Sequence, residues 1–414
     1  MSELQASLQV ALNALSGSEM NRRLGIVGAG QLGLYLCEAA QALGSKVTVI
    51  SDTADAVALR SADKAIVAEL DDVSAIDEFL SCCDVVTFDK EGVPNETLAY
   101  LIESEKQGKV AIHPGADTLL MVKDKGLQKT WLQQQSLPTL PFHILPQGPA
   151  SVDFLVRTFG RSVVQKARCG GYDGRGVQLL QSLDSPEQLW NIPSIVEPCL
   201  KGCREISVIT ARDQAGGVQS YPPVSMDFDP QLNSVSVVTM RASIPPELSN
   251  RAVELAERVV HLLGGIGVFA IEMFVTPSDE LLINEISPRV HNSGHVTLDA
   301  CNVSQFEQHV RAVTGLPLRP VVHHSPAVML NILYAEPMRP VCPDKPLVQR
   351  AGRAGDDSVV SPLASTYWYG KAPGSPGRKM GHINVVAPSL ELATTAARQI
   401  MEKLSPRHDS ERAA

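Results

Sequence analysis

The sequence has no apolar run approaching the length of a bilayer-spanning helix, which argues against an integral membrane protein. Residues 1–20 lack the basic start and compact apolar core of a signal peptide, so we expect no secretory targeting there. The eight cysteines do not show zinc-ligand spacing, and the closest pairs are Cys82 with Cys83 and Cys199 with Cys203. Internal repeats and low-complexity segments are also missing. These absences predict a cytoplasmic protein whose thiols stay reduced.

An excess of basic residues is missing too, since the formal net charge is -9 over 414 residues. This balance argues against a broad nucleic-acid-binding surface but leaves room for a local basic pocket that takes an anionic metabolite. Apolar residues make up 44% of the chain and charged residues 20%, which is typical of a globular protein. At this length we expect two or three domains.

The most informative stretch covers residues 267–289. Two segments rich in Val, Ile, Leu and Phe flank a Thr-Pro-Ser-Asp break, a pattern that predicts a β-hairpin. If the turn is centred on residues 278–279, Glu272 lies directly opposite Glu285, which is an unfavourable pairing of like charges. A cation relieves that repulsion, and magnesium is commonly held by one or two carboxylates plus substrate phosphates. The alternative is that both glutamates are solvated on an exposed face.

Residues 24–33 form a predicted strand and turn with the pattern Gly-x-Gly-x-x-Gly starting at Gly28, followed by a helix. Asp52 ends the next strand, so the unit carries the dinucleotide-binding fingerprint and taken alone indicates NAD. The turn itself only lets the backbone approach a phosphate at a helix N-terminus, so any phosphorylated ligand fits it. The alternation of strands and helices continues only to about Pro114, the size of one mononucleotide-binding half, which disfavours a dehydrogenase.

A second glycine-rich segment lies between two predicted strands, the first of which carries Lys166. Its glycines are Gly170, Gly171, Gly174 and Gly176. Backbone N–H groups of such a loop can fold over phosphates, while the lysine supplies a point charge to the same oxygens. The lysine precedes the glycines and no helix follows, so this is not a Walker A loop. The alternative is a flexible hairpin tip.

Two further groups of polar side chains follow. The loop directly after the hairpin contains Arg289, His291 and His295. A single histidine in such a loop is more often a structural hydrogen-bonder, but this cluster beside a carboxylate pair favours a catalytic role. After a strand predicted at 367–371, a Gly/Pro turn groups Lys371, Arg378 and Lys379. These side chains predict a clamp for a phosphate monoester, and the alternative is a solvated basic hairpin.

These segments, in this order, resemble the N5-carboxyaminoimidazole ribonucleotide synthetase family, ATP-grasp enzymes also called the ATPase subunit of phosphoribosylaminoimidazole carboxylase. The similarity runs over about 24–386, nearly the whole chain. Its most specific stretches are 28–33, 170–176, 283–295, 304–313 and 376–382.

The resemblance implies an α/β (α+β) fold of the ATP-grasp type. A Rossmann-like pre-ATP-grasp domain, a central ATP-grasp domain and a small C-terminal β-rich domain are expected over 23–118, 119–318 and 319–402. Residues 1–22 are expected to be an N-terminal extension and 403–414 a tail.

The resemblance also implies a reaction, the ATP-dependent carboxylation of 5-aminoimidazole ribonucleotide with bicarbonate in purine biosynthesis. The products are N5-carboxyaminoimidazole ribonucleotide, ADP and phosphate, and carboxyphosphate is the intermediate. ATP and Mg2+ are the implied cofactors. A homodimer and a handover of the product to a mutase are also implied, and neither a nucleic acid nor a membrane is an expected partner.

Individual roles follow from matching positions. Those implied for ATP are Lys125, Lys166, Gly171, Tyr172, Gly174, Gly176, Glu197, Glu205 and Asn284. Those implied for the ribonucleotide are Gln31, Leu32, Tyr172, Asp173, Arg175, Lys371 and Arg378. The implied metal ligands are Glu272 and Glu285, and the implied catalytic residues are Arg289, His291, His295 and Asp173. Within the ATP set, Glu197 lies in the stretch that holds adenine and Glu205 where the ribose is bound.

Two segments depart from the family pattern. Relatives usually carry Asn-x-His where this chain has Met226 and Phe228, in a run expected to be a loop over 223–233. The acidic-aromatic-acidic motif after the fourth strand reads Asp-Lys-Glu over 89–91. Both changes lie near expected ligands, so two alternatives stay open. One is an ATP-grasp ligase acting on another amine, and the other is a paralogue without turnover.

Overall fold

Three β-sheets and the helices around them form the part of the chain that the structure describes. The computed structural model describes residues 22–147, 151–171, 176–229, 231–334, 361–372, 374 and 376–404. Residues 1–21 and 405–414, which hold nearly all of the predicted extension and tail, lie outside these ranges. Within them, no helix has the length and apolar character needed to cross a membrane.

The first sheet has five parallel strands in the order β3-β2-β1-β4-β5. Its strands are β1 (Arg23–Val27), β2 (Lys46–Ser51), β3 (Lys64–Val67), β4 (Val85–Phe88) and β5 (Ala111–Ile112). Its helices are α1 (Gln31–Ala42), α2 (Val73–Ser81), α3 (Asn95–Lys106) and α4 (Ala116–Val122). The central strands are continuous apolar runs because hydrophobic clusters cover both faces of the sheet. The predicted alternation of strands and helices is confirmed.

The second sheet is small and antiparallel, with four strands in the order β6-β9-β7-β8. Its strands are β6 (His143–Leu145), β7 (Val163–Ala167), β8 (Val177–Leu180) and β9 (Ser194–Pro198). The neighbouring helices are α5 (Lys125–Gln134) and α6 (Val152–Phe159). Strand β7 pairs with β8 on either side of the second glycine-rich segment, which confirms the predicted pair of strands around it.

The third sheet has nine strands in the order β15-β14-β10-β12-β13-β16-β18-β17, with β11 paired to β10. Its strands are β10 (Arg204–Arg212), β11 (Val218–Ser220), β12 (Val224–Asp229), β13 (Ser234–Met240), β14 (Gly267–Val275), β15 (Leu281–Ser287), β16 (Ala327–Leu333), β17 (Leu363–Trp368) and β18 (Lys379–Val386). The remaining helices are α7 (Pro246–Leu263), α8 (Thr297–Ala300), α9 (Gln305–Thr314) and α10 (Leu390–Leu404). Because β13 pairs with β16, no break in this sheet marks the boundary predicted after residue 318, and the domain boundaries stay predictions.

The hairpin of β14 and β15 sets Glu272 directly opposite Glu285, as the sequence predicts. Its outer pairs are centred on Ser278, one residue out of the predicted register, and that register alone would set Asn284 opposite Glu272. A β-bulge shifts the pairing by one residue just before the two glutamates meet. The facing carboxylates are therefore a product of the bulge as well as of the turn.

Two predicted elements have different bounds or character. Strand β17 ends at Trp368 instead of running through 367–371, because Gly370 adopts a left-handed φ of 72°. The run predicted as a loop over 223–233 contains strand β12. There Met226 is buried in the hydrophobic core and Phe228 packs against the same cluster. Both side chains therefore serve the hydrophobic core.

Candidate active site

Glu272 and Glu285 face each other with side chains that are 16% and 38% exposed. Burial, and next the Glu285 carboxylate, raise the pKa of Glu272 to about 8. Burial acts in the same direction on Glu285, but its ion pair with Lys125 outweighs this and lowers its pKa. One carboxylate is therefore readily ionised, while the other resists ionisation until more positive charge is supplied.

This pair suits a hard divalent cation, because a cation removes the repulsion that helps to raise the Glu272 pKa. In the described ranges, no group of three or more His, Cys, Asp or Glu side chains is arranged to hold a metal ion. Two carboxylates do not fill the coordination shell of Mg2+. The donor set therefore fits an ion that takes its other ligands from phosphate oxygens and water.

Two lysines on different elements lie near the carboxylates. Helix α5 begins at Lys125, and Asp124 caps it by accepting hydrogen bonds from N–H groups of the first turn. Arg168 donates to the same Asp124 carboxylate at 2.6 and 2.9 Å, which fixes the helix start to the end of β7. From β7, the Lys166 ammonium donates to the side-chain oxygen of Asn284 at 2.8 Å. Both lysines are thus held close to the bulged strand.

Glu197 is 1% exposed and its carboxylate lies between two ammonium groups, those of Lys129 at 2.5 Å and Lys166 at 2.7 Å. Each oxygen of this carboxylate therefore faces one ammonium group inside the protein. On β10, burial raises the pKa of Glu205 while Lys166 opposes the shift, so Glu205 belongs to the same charged cluster. The ATP roles of both glutamates stay predictions.

The described part of the second glycine-rich loop closes at its base. The Ala167 N–H donates to the Gly176 carbonyl at 2.8 Å. Gly176 has a φ of 77°, and a Cβ there would lie 3.0 Å from the Cα of Gly171, so both conformation and space require glycine. The loop tip lies outside the described residues, and the roles expected there stay predictions, namely those of Tyr172, Asp173, Gly174 and Arg175.

The first glycine-rich turn is closed by an internal anion. Asp89 is 6% exposed, and its carboxylate accepts hydrogen bonds from the N–H groups of Gly30 at 2.5 Å and Gly33 at 3.3 Å. Gly28 has a φ of 99°, and a Cβ there would lie 1.8 Å from the same carboxylate. The donors that a pyrophosphate needs at the start of α1 are therefore already engaged.

The other two residues of the Asp-Lys-Glu motif over 89–91 also have ion-pair partners. Lys90 is ion-paired with Asp52, the acidic residue of the fingerprint, at 2.9 Å. Glu91 is ion-paired with Arg289 at 2.9 Å. The motif therefore ties the end of β4 to α1, β2 and the loop after β15. Because both the turn and Asp52 have internal partners, the geometry does not support the NAD interpretation.

Gln31 and Lys371 meet although 340 positions separate them, with the ammonium donating to the amide oxygen at 2.6 Å. Lys371 also donates to the Lys379 carbonyl at 3.0 Å, and Arg378 donates to a carbonyl of its own turn at 3.0 Å. Lys379 begins β18 and is 5% exposed, so the alternative of a solvated hairpin does not describe it, and its part in the predicted clamp stays a prediction. Leu32 is 7% exposed and packs in the core, so its substrate contact stays a prediction.

His291 joins the carboxylate pair, because its Nε2 lies 3.2 Å from an oxygen of Glu272. Its Nδ1 lies 2.9 Å from the Ser293 hydroxyl. Gln305 fixes the loop by accepting a hydrogen bond from the His291 N–H at 2.9 Å and donating one to its carbonyl at 2.6 Å. The predicted neighbourhood of His291 and the hairpin is therefore present, and its catalytic role stays a prediction.

His295 is fully buried, with its ring stacked on His382 at 4.6 Å and on Phe306 at 5.6 Å between centroids. Burial, and next His382, lower its pKa well below the ordinary value, so the ring is neutral. Its expected catalytic role stays a prediction. The packing suits support of the loop better than contact with a substrate.

Sequence reasoning missed several side chains that organise the site. Lys129 lies four positions after Lys125 on the same face of α5, and this spacing is its one sequence signal. Asp89 accepts a hydrogen bond from Gly30, the N-cap of α1, 59 positions earlier, and Gln305 supports a loop 14 positions away. No local pattern encodes such contacts.

The chain is 35% identical to the N5-carboxyaminoimidazole ribonucleotide synthase of Synechococcus elongatus over 382 residues, or 90% of this chain and 91% of that protein. The chain belongs to the N5-carboxyaminoimidazole ribonucleotide synthase family. Family models match three of its segments. They are the ribonucleotide synthetase preATP-grasp domain over 20–123, the ATP-grasp domain over 130–306 and the phosphoribosylaminoimidazole carboxylase C-terminal domain over 327–396.

Solved structures of N5-carboxyaminoimidazole ribonucleotide synthases share the fold. The Thermotoga maritima synthetase matches with a TM-score of 0.77 at 33% identity, over 92% of this chain and 98% of that one. The Aspergillus clavatus synthase, solved with ADP and 5-aminoimidazole ribonucleotide, matches with a TM-score of 0.79 at 27% identity, over 93% and 99%. The predicted ATP-grasp fold, with its preceding and following parts, is confirmed.

Proposed function

We propose that this protein uses ATP to carboxylate 5-aminoimidazole ribonucleotide with bicarbonate. The products are N5-carboxyaminoimidazole ribonucleotide, ADP and phosphate, and the reaction serves purine biosynthesis. The observation that carries the proposal is the joining of two facing carboxylates, Glu272 and Glu285, with Lys125 and Lys166 in one cluster of this family's fold. The Aspergillus clavatus relative, solved with ADP and the same ribonucleotide, supports both ligands.

On the ATP side, Lys125 and Lys166 supply positive charge for the polyphosphate, and Glu272 and Glu285 hold Mg2+. When bound, Mg2+ neutralises charge on the phosphate oxygens as the phosphoryl group transfers. Lys166 is already held by Asn284 at 2.8 Å, so its ammonium needs little reorganisation when the nucleotide arrives. This preorganisation suits phosphoryl transfer, in which positioning and charge neutralisation carry most of the catalysis.

On the ribonucleotide side, Lys371 and Arg378 bind the phosphate monoester, and Gln31 holds the nucleotide beside them. The hydrogen bond of 2.6 Å between Lys371 and Gln31 supports this grouping, because it joins the start of α1 to the segment after β17. Lys371 carries a point charge, while Arg378 offers a planar fork that matches two phosphate oxygens. The two side chains together favour a phosphorylated substrate over a free nucleoside.

The chemistry proceeds in two displacements. An oxygen of bicarbonate attacks the γ-phosphorus of ATP, the bond from that phosphorus to ADP breaks, and carboxyphosphate forms. The exocyclic amine of the ribonucleotide then bonds to the carboxyl carbon, the carbon–oxygen bond to phosphate breaks, and the amine loses a proton. Arg289 binds the bicarbonate, and its ion pair with Glu91 at 2.9 Å keeps the guanidinium oriented. His291 takes part as a hydrogen-bonding group beside Glu272.

Three further expectations from the family are part of the proposal. The protein forms a homodimer, it acts in the cytoplasm, and its labile product passes to a carboxyaminoimidazole ribonucleotide mutase. Sedimentation at several protein concentrations tests the first. Faster product conversion when the mutase is present, beyond the sum of the two separate rates, tests the last.

Measurement of ADP release tests the reaction. The complete mixture contains ATP, Mg2+, bicarbonate and 5-aminoimidazole ribonucleotide, and each component is omitted in turn. We expect release to require both bicarbonate and the ribonucleotide. Release that depends on a different amine would support the alternative ligase. No release by a protein that still binds ATP would support a paralogue without turnover, and either result would contradict the proposal.

A further inference from the structure

Two lysines share one buried carboxylate next to the nucleotide site. The ammonium of Lys129 lies 2.5 Å from one oxygen of Glu197, and the ammonium of Lys166 lies 2.7 Å from the other. The exposed fractions of the three side chains are 2%, 1% and 11%, in the order Lys129, Glu197, Lys166. Only Lys166 therefore retains measurable contact with solvent, and Lys129 has no room to touch a ligand itself.

Lys129 is also joined to β15, the strand that carries Glu285. Its ammonium donates to the Thr139 hydroxyl at 2.7 Å, and that hydroxyl donates to the Ile283 carbonyl at 2.8 Å. The next residue, Asn284, accepts a hydrogen bond from Lys166 at 2.8 Å. These contacts form a closed ring that runs from Lys129 through β15 to Lys166 and returns through Glu197.

The charge of the ring differs from that of a simple ion pair. A carboxylate with one ammonium is neutral, and a buried neutral pair attracts an incoming polyphosphate weakly. With a second ammonium on the other oxygen, the three groups carry one net positive charge. The exposed end of that group is Lys166, so the surplus charge is available on the side of the nucleotide.

We propose that Lys129 is a positioning residue for ATP, which neutralises Glu197 so that Lys166 keeps its charge for the phosphates. This inference rests on the proposed function only in taking Lys166 as a phosphate contact. Lys129 itself touches neither nucleotide nor substrate.

The test measures ATP binding by variants that remove the net positive charge of the ring and then restore it. The variants are Lys129→Met, Lys129→Arg and the double variant Lys129→Met with Glu197→Gln. The dissociation constant of ATP in the presence of Mg2+ is measured by titration calorimetry for each, together with the KM for the ribonucleotide. Circular dichroism and thermal unfolding report whether each variant is folded.

We expect Lys129→Met to weaken ATP binding about tenfold, since the remaining pair is neutral. The double variant again leaves one positive charge, and we expect its ATP binding to return to within about threefold of the wild type. Lys129→Arg keeps the charge and is expected to bind ATP nearly as well as the wild type. The KM for the ribonucleotide is expected to stay within about twofold throughout.

If Lys129 had a purely structural role, the double variant would bind ATP more weakly than Lys129→Met, because a second change in the buried ring adds to the damage. Unchanged ATP binding in Lys129→Met, or weaker binding in the double variant than in Lys129→Met, would overturn the inference. If Lys129→Met does not fold, the double variant and Lys129→Arg still decide, since both must bind ATP well. ATP binding is measured without turnover, so failure of the proposed carboxylation is distinguished from failure of this inference.

Discussion

Replacement of Asp89 by alanine tests whether the glycine-rich turn is held closed by an internal anion. The carboxylate accepts two hydrogen bonds from the start of α1, at 2.5 and 3.3 Å, in a position that is 6% exposed. Loss of a helix N-cap costs about 0.5–2 kcal/mol. Here the freed Gly33 N–H is buried, and an unsatisfied buried donor costs about 1–3 kcal/mol. We therefore expect Asp89→Ala to lower the free energy of unfolding by about 2 kcal/mol.

A matched control is available in the same sheet domain. Asp72 caps α2 by accepting hydrogen bonds from Ser74 and Ala75, but this cap is exposed, so water can replace the lost acceptor. We expect Asp72→Ala to cost about 0.5–1 kcal/mol. Urea unfolding followed by circular dichroism measures both variants. Equal losses for the two caps, or no loss for Asp89→Ala, would refute the argument from burial.

Three further outcomes are expected. Lys371→Met should raise the KM for 5-aminoimidazole ribonucleotide at least tenfold and leave the KM for ATP within about twofold, and a change in both would contradict the assignment. Glu91→Gln should raise the KM for bicarbonate about threefold to tenfold, because Arg289 loses its partner at 2.9 Å, and steady-state rates at varied bicarbonate measure this. Burial raises the pKa of Asp89 although the Gly30 N–H opposes the shift. The folded state therefore holds the carboxyl proton of Asp89 more tightly than the unfolded state does. Wild-type stability relative to Asp89→Asn should therefore fall as the pH rises above about 4, and a pH-independent difference in urea unfolding would contradict this.

The sequence predicts the hairpin and its paired glutamates because apolar periodicity and a turn break are local signals. The pairing of Glu272 with Glu285 is confirmed, but it depends on a bulge near Asn284, because the outer pairs of the hairpin are one residue out of the predicted register. Bulges depend on how the strand packs against its neighbours, and the one-dimensional pattern does not reveal them. The correct pairing was therefore predicted from an incomplete description of the hairpin.

Long-range contacts account for what the sequence does not predict. Glycine spacing indicates the turn at Gly28 but not that Asp89 fills it from 61 positions away along the chain. Likewise, helical spacing sets Lys129 on the face of Lys125, while its partner Glu197 is set by the pairing of β9 with β7. Such ion pairs require tertiary placement, so residue type alone suggests exposed charges at these positions.

The central claim is that Glu272 and Glu285 together hold the metal that accompanies ATP. The most direct test is ADP release by Glu272→Gln at saturating ATP, bicarbonate and ribonucleotide, with circular dichroism as a check of folding. Glutamine keeps the shape of the side chain but removes the charge that binds a hard cation. We expect a loss of about a hundredfold in rate, which corresponds to about 2.7 kcal/mol. A folded Glu272→Gln protein that releases ADP at the wild-type rate would contradict the account.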